Sequence, residues 1–388
     1  MRVLLASTAG SGHFGPLVPV AHACRSAGHE VAVAAPESFA AQVAGAGLEH
    51  LAFADAPSVV LAPVLARLPS LSTEEANRTV LADVFGRLDA QVALPGVTAI
   101  IQEWGPDLVV REPIEFGSLA AALAAGVPHA VVAVNVSALM DRVSAVVAQP
   151  LAELDEIAGI ALGSCSAALR TATTFTSVPR ILDDARPLII GYGGPLHRYR
   201  APAGTGDREL PPPWGDPADP LVYVSFGSVA STLPHVAGVY QAVLGALADE
   251  PLRVLLTTGD GLDPHALSAP GNACVRRWWP QAAVLPEASA VVGHGGFGTT
   301  LAALAAGVPQ VLLPLFAMDQ FVNAEQVAAV GAGVRLLGGA DAAVGVPAAL
   351  GTVLGEPRYA AAAQAVADEI AALPPVTEVV RALEELAG

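Results

Sequence analysis

Two series of short, almost wholly apolar runs constrain this 388-residue chain more than any other feature. In the first series RVLLAS (2–7), EVAVAA (30–35), DLVVR (107–111) and HAVVAV (129–134) are separated by alanine-rich stretches of helix length. The second repeats the pattern with PLVYVSF (220–226), RVLLTT (253–258), AVVGH (290–294) and QVLLPL (310–315). A strand without polar alternation is covered on both faces, and parallel sheets flanked by crossover helices supply that environment. The hexapeptide LAAGVP occurs at 123–128 and again at 304–309, each time leading into a strand. The expected fold class is therefore α/β, with two similar parallel-sheet halves.

The halves meet at RAPAGTGDRELPPPWGDPAD (200–219), where proline and glycine cluster and periodicity is lost. The expected organisation is a first domain over 1–199, a linker over 200–219 and a second domain over 220–372. A final helix over 373–388, set off by Pro374-Pro375, is expected to pack back on the first domain. Segments 53–95 and 135–175 look the least regular. Their apolar residues Phe53, Leu61, Leu65, Leu68, Phe85, Met140 and Val143 would wall a hydrophobic ligand site or belong to the core.

Charge excludes some partners. Lys plus Arg total 19 against 36 Asp plus Glu, a net charge of −17, so neither nucleic acid nor an anionic membrane surface is expected. The longest apolar stretches, near 119–134 and 301–317, are cut by Gly-Val-Pro and read as helix–turn–strand rather than membrane spans. No secretory signal is read before the first strand, and three widely spaced cysteines (Cys24, Cys165, Cys274) suit buried thiols, so a cytoplasmic location is expected.

The first strand runs into TAGSGHFGPLVP (8–19), which contains the dinucleotide-binding spelling G-x-G-x-x-G at 10–15. A phosphate cradle needs helix-terminal N–H groups, and Pro16 and Pro19 are expected to delete two of them. Glu37, the acidic partner such a site would want, follows Ala34-Ala35-Pro36 rather than ending a strand. The glycines read instead as clearance around His13, presented at the carboxyl edge of a sheet, where open α/β folds bind ligands.

The anion chemistry lies in the second half. HGGFGTT (294–300) joins a strand to a helix, with adjacent glycines for close approach and Gly298, Thr299 and Thr300 at the helix start. His294 adds a donor that could become cationic. Upstream, Trp278, Trp279, Pro280 and Gln281 offer an aromatic face beside an amide; downstream, Asp319 and Gln320 could hold several hydroxyls.

WWPQ, HGGFGTT and the distal DQ are similar to the donor-binding motif of nucleotide-sugar-dependent glycosyltransferases of the GT-B fold, and GSGHFGPLVP resembles their acceptor-side loop. The resemblance covers nearly the whole chain and is closest to the actinobacterial natural-product branch. It implies two Rossmann-like domains facing each other across a cleft. Trp278 would stack on the base, with Gln281 near the nucleoside. Ser228, His294, Gly296, Gly298 and Thr299 would take the diphosphate, and Asp319 and Gln320 the sugar. His13 would be the general base, oriented by a carboxylate that by position is Glu112, with Glu115 close by in sequence. Plant-type relatives carry a ribose-binding Glu where this chain has Ala302, which fits a dTDP-sugar.

The implied reaction is inverting transfer of a sugar from a dTDP- or UDP-sugar to a hydroxyl of a hydrophobic aglycone. No cofactor or metal is expected, since no D-x-D occurs, and the enzyme would be a monomer or homodimer. The alternatives are a sugar-nucleotide 2-epimerase on the same fold, or a non-catalytic nucleotide-sugar binder that activates a partner.

Overall fold

The computed structural model describes residues 1–185, 193–202 and 209–388. The chain divides into two compact units. One comprises Met1–Ser177, Leu188–Pro202 and Leu373–Gly388, the other Val178–Pro187 and Ala203–Ala372. Each is built on one parallel sheet.

The first sheet contains β1 (Arg2–Ala6), β2 (Glu30–Pro36), β3 (Glu49–Phe53), β4 (Leu108–Arg111), β5 (His129–Val132), β6 (Thr173–Thr176) and β7 (Leu196–Arg198), in the order β3-β2-β1-β4-β5-β6-β7. The second contains β8 (Leu221–Ser225), β9 (Arg253–Thr257), β10 (Ala273–Arg276), β11 (Ala290–Gly293), β12 (Gln310–Leu312) and β13 (Gly333–Arg335), in the order β10-β9-β8-β11-β12-β13. The eight strands anticipated from apolar runs are all present. The five others lie at or beside sheet edges, where one flank needs no apolar cover and sequences such as EHLAF, TTFT and LHR suffice.

In each sheet the chain winds outward from the first strand in one direction, then returns to its other side. The reversal falls between β1 and β4 in the first sheet and between β8 and β11 in the second. Loops after neighbouring strands diverge there, which opens a crevice at the carboxyl edge.

The C-terminal helix Thr377–Ala387 lies on the first unit. Val376, Val379, Val380 and Leu383 join the core formed by Leu17, Val20 and Cys24 of the helix Leu17–Ser26. Each such buried Val or Leu stabilises the fold by about 1.5–3 kcal/mol. His29 Nε2 meets Glu384 Oε1 at 3.0 Å beside this contact.

Three expectations need correction. The segment Val178–Pro187 counts with the second unit rather than with 1–199, because Glu369 accepts from the Ile181 N–H at 3.1 Å at the start of the helix Arg180–Asp183. Residues 203–208 of the linker candidate lie outside the described residues. Its second half is fixed on the second unit: Trp214 packs with Leu221 and Tyr223, and Arg253 stands over its ring.

The third correction concerns 53–95 and 135–175, which are mostly helical. Thr73–Trp104 is one continuous helical segment of 32 residues, long and apolar enough to cross a membrane by length and composition. Its Leu81, Val84, Ala93, Leu94, Val97 and Ile101 are buried in the first unit, so its apolar side is core. Phe53, Met140 and Val143 are likewise buried core residues, whereas Leu65 of the helix Ser58–Arg67 is exposed.

Candidate functional site

His13 belongs to the one-turn helix Ser11–Phe14 that follows β1, and Glu112 follows β4 directly. The reversal in strand order thus brings together residues 99 positions apart. His13 Nδ1 lies 3.3 Å from Glu112 Oε2, and the carboxylate is fully buried. Glu112 also accepts from the Thr8 hydroxyl at 3.0 Å and from the Ile114 N–H at 2.8 Å. Burial alone would raise its pKa. The charge and hydrogen bond of His13, with the Ile114 and Thr8 bonds, outweigh that and hold it below the usual carboxylate range. A buried carboxylate at Nδ1 stabilises the tautomer with its proton there and leaves Nε2 as the basic nitrogen.

Glu115 has a different task. Its carboxylate caps the helix Phe116–Ala125 by accepting from the Gly117 and Ser118 N–H groups, and burial pushes its pKa up to about 7. The dyad is His13–Glu112.

The glycines around His13 divide by role. A Cβ on Gly10 would stand 2.8 Å from His13 Cδ2, so the imidazole occupies that space. Gly12 faces open space, and a Cβ on Gly15 would meet the Ser11 carbonyl at 3.0 Å, so neither makes room for the ring. The helical turn begins at Ser11, ahead of Pro16 and Pro19. The prolines stand instead at the N-cap and in the first turn of the helix Leu17–Ser26, where they remove two N–H groups as expected.

In the second unit the loops after β8, β10, β11 and β12, with the helix starts that follow them, lie at one sheet edge and carry every residue expected there. Gln281 Nε2 donates to Thr299 Oγ1 at 2.9 Å, which ties the WWPQ loop to the helix Phe297–Ala305. The two tryptophans separate: Trp279 is half-buried against the core and donates from Nε1 to the Glu209 carbonyl at 3.0 Å, while Trp278 is 70% exposed. An indole that open can take a stacking partner. Ser228, in the loop after β8, is exposed as well.

The loop Gly295–Gly296 is held by contacts only glycine permits. Gly295 has φ +86°, and a Cβ there would lie 2.5 Å from the Gln320 carbonyl oxygen. A Cβ on Gly296 would lie 2.4 Å from the His294 imidazole, and one on Gly227 would lie 2.8 Å from it. Asn323 Nδ2 bonds the Gly295 carbonyl at 2.8 Å from the helix Met318–Ala329. Gly298 faces open space at the first turn of its helix, where N–H groups have no acceptor within the helix itself.

Two expectations change here. His294 is no ready cation: burial drives its pKa down to about 4, against a hydrogen bond to the Ser225 backbone that raises it. It is a neutral ring wedged between Gly227 and Gly296. Gln320 is buried, and its Oε1 accepts from the Leu315 and Phe316 N–H groups at 2.9 and 3.1 Å, so that oxygen organises the loop after β12. Asp319, half-buried beside it in the first helical turn, is the acidic side chain of the pair.

Thr8, Gly227 and Asn323 went unassigned in the sequence, and Phe85, expected to wall a ligand site or join the core, has its ring centroid 5.8 Å from that of His13. Gly227 follows a strand in SFGS and carried a readable signal; Thr8 and Asn323 are defined only by what they touch.

Comparison with known proteins identifies the family. Residues 22–156 match the model of the erythromycin biosynthesis protein CIII-like N-terminal domain, and residues 241–386 that of the corresponding C-terminal domain. L-demethylnoviosyl transferase of Streptomyces niveus is 35% identical over 382 residues, covering 96% of this chain and 95% of that protein. The chain belongs to the erythromycin biosynthesis protein CIII-like glycosyltransferases. The glycosyltransferase SnogD from Streptomyces nogalater superimposes with a TM-score of 0.77 at 26% identity, over 100% of this chain and 99% of that one. VinC, crystallised in complex with dTDP, gives 0.74 at 26% identity over the same shares. The two parallel-sheet domains are those of the GT-B fold, and this family member is a glycosyltransferase of the antibiotic-biosynthesis type.

Proposed function

We propose that this glycosyltransferase moves a deoxysugar from a dTDP-sugar to a hydroxyl of a hydrophobic aglycone with inversion at the anomeric carbon. The observation that carries the reading is the His13–Glu112 dyad, a histidine paired through Nδ1 with a fully buried carboxylate at a strand-order reversal. Nε2 of His13 takes the acceptor proton as the hydroxyl oxygen attacks the anomeric carbon. The bond to the diphosphate oxygen breaks on the opposite face, and Glu112 stabilises the imidazolium that forms.

Trp278 stacks on the base, and Gln281 and Ser228 sit near the nucleoside diphosphate. The N–H groups at Gly298 and Thr299 meet the charge that grows on the leaving group. His294 and Gly296 shape that loop, and Asp319 binds sugar hydroxyls with Gln320 as its support. Ala302 and the dTDP complex of VinC support a thymidine donor over a uridine one. Among the described residues no three His, Cys, Asp or Glu side chains are grouped as metal ligands, and we propose metal-independent turnover.

The test is a panel of aromatic and macrocyclic aglycones incubated with dTDP- and UDP-sugars. Transfer from a dTDP-sugar, unaffected by EDTA and giving the inverted anomer by NMR, is expected. Epimerised donor without acceptor, or a retained anomer, would overturn the reading.

A further inference from the structure

Ten residues of the long helical segment, Val80–Asp89, are wound as a π-helix, a form that redirects side chains and is frequent at functional sites. Two contacts pin this turn to the helix Ala138–Ala158. A Cβ on Gly86 would lie 2.8 Å from Pro150 Cβ and 3.0 Å from the Leu81 carbonyl, so only glycine allows that approach. Arg87 grips Glu153 with both ends of its guanidinium, Nε–Oε2 at 2.7 Å and Nη2–Oε1 at 2.9 Å, while Nη1 holds Asp83 at 2.9 Å. Phe85, the residue just before this anchor, meets the imidazole of His13 with ring centroids 5.8 Å apart and planes tilted by 46°.

From this geometry we propose that Phe85 is a positioning residue for His13, held in register by the Gly86 and Arg87 anchors of the π-turn. The inference rests on the reading of His13 as the general base. Glu112 fixes one edge of the imidazole and Phe85 bears on it from another side, so the ring is restrained in both tilt and rotation. The phenyl ring also favours the protonated imidazole over the neutral one, because its quadrupole attracts a cation at this range. Proton transfer from the acceptor is therefore eased at the moment the imidazolium forms. The ionisable groups close to the dyad are Glu112 itself and, through Glu112, Asp89 at the end of the π-turn with Asp55 beyond it, and buried Glu115 with the neighbouring Arg111. None of these is altered in the variants below.

The experiment compares Phe85→Leu, Phe85→Tyr and Arg87→Gln with the parent in the full chain. It uses histidines labelled with ¹³C at Cε1, the His13 signal being assigned by its loss in His13→Gln. Removing the ring in Phe85→Leu should shift the His13 resonance through lost ring current and lower its titration midpoint by about half a pH unit. The same variant should lower kcat about three- to tenfold, with KM for the dTDP-sugar unchanged. Phe85→Tyr should restore both readouts, since it keeps the ring. Arg87→Gln should reproduce part of the loss and add little to Phe85→Leu.

A Phe85→Leu protein that loses kcat while its His13 signal and midpoint stay fixed would overturn the proposal, as would unchanged values for both. Failure of the base assignment is separately visible, because His13→Gln would then retain transfer.

Discussion

The two units solve the same topological problem with opposite electrostatics. β4 and β11 hold corresponding places, each next to the first strand of its sheet on the far side of the reversal, and each is followed directly by an ionisable residue. Glu112, after β4, is surrounded by donors: the Thr8 hydroxyl, the Ile114 N–H and His13. Its charge is kept. His294, after β11, is surrounded by the backbone of Gly227 and Gly296, and burial keeps it neutral with a pKa near 4. The crevice position is set by strand order, while the charge found there is set by whichever donors or bare backbone the next loops bring.

The contrast can be broken most directly at His13. His13→Ala should reduce transfer by roughly 10²–10⁴-fold, the span of a well-placed general base, and leave dTDP affinity by calorimetry nearly unchanged. Equal loss of both would mean that His13 shapes the fold of its unit rather than the chemistry. Glu112→Gln should cost less, on the order of 10–10²-fold in kcat, because the imidazole survives without its orienting charge. A variant with parent kcat would remove Glu112 from the mechanism.

On the other side, Gly296→Ala drives a methyl into the His294 ring, and overpacking of this kind costs about 1–3 kcal/mol. We expect a lower melting temperature and weaker dTDP binding, with His13 titration unaltered. A variant as stable as the parent would show that the ring can swing aside.

The last effect depends on pH and concerns Asp89. Burial first, then the charges of Asp55 and Glu112, raise its pKa from 3.8 to about 6. A carboxyl whose folded pKa is raised disfavours the folded state once ionised, so its cost is absent below pH 3.8 and complete above about 6. Asp89→Asn should therefore stabilise the protein at pH 8, by at most about 3 kcal/mol, and make no difference near pH 4. A gain that is the same at both pH values would sink this account.

Much of the fold was legible because a strand covered on both faces must be apolar at every position, and eight such runs stand out. The edge strands were not, since a strand like Leu196–Arg198 needs only backbone partners and writes no pattern. The helical character of 53–95 was obscured because Pro63 and Pro95 sit inside helices and Gly86 inside the π-turn, residues that ordinarily signal breaks. At the sites, the chemistry-bearing residues were readable as types. Their division of labour was not: Trp278 and Trp279 are chemically identical neighbours, and only packing shows that one rests against the core and the other is open.

What the sequence determined by itself was the class of fold and the residues able to carry chemistry, because periodicity and side-chain functional groups are local properties. Which carboxylate meets His13, that burial lowers the pKa of His294, and that Phe85 reaches the dyad were decided by tertiary structure. Protonation and orientation depend on neighbours brought within a few ångströms from distant parts of the chain. No linear spacing encodes that burial or those donors.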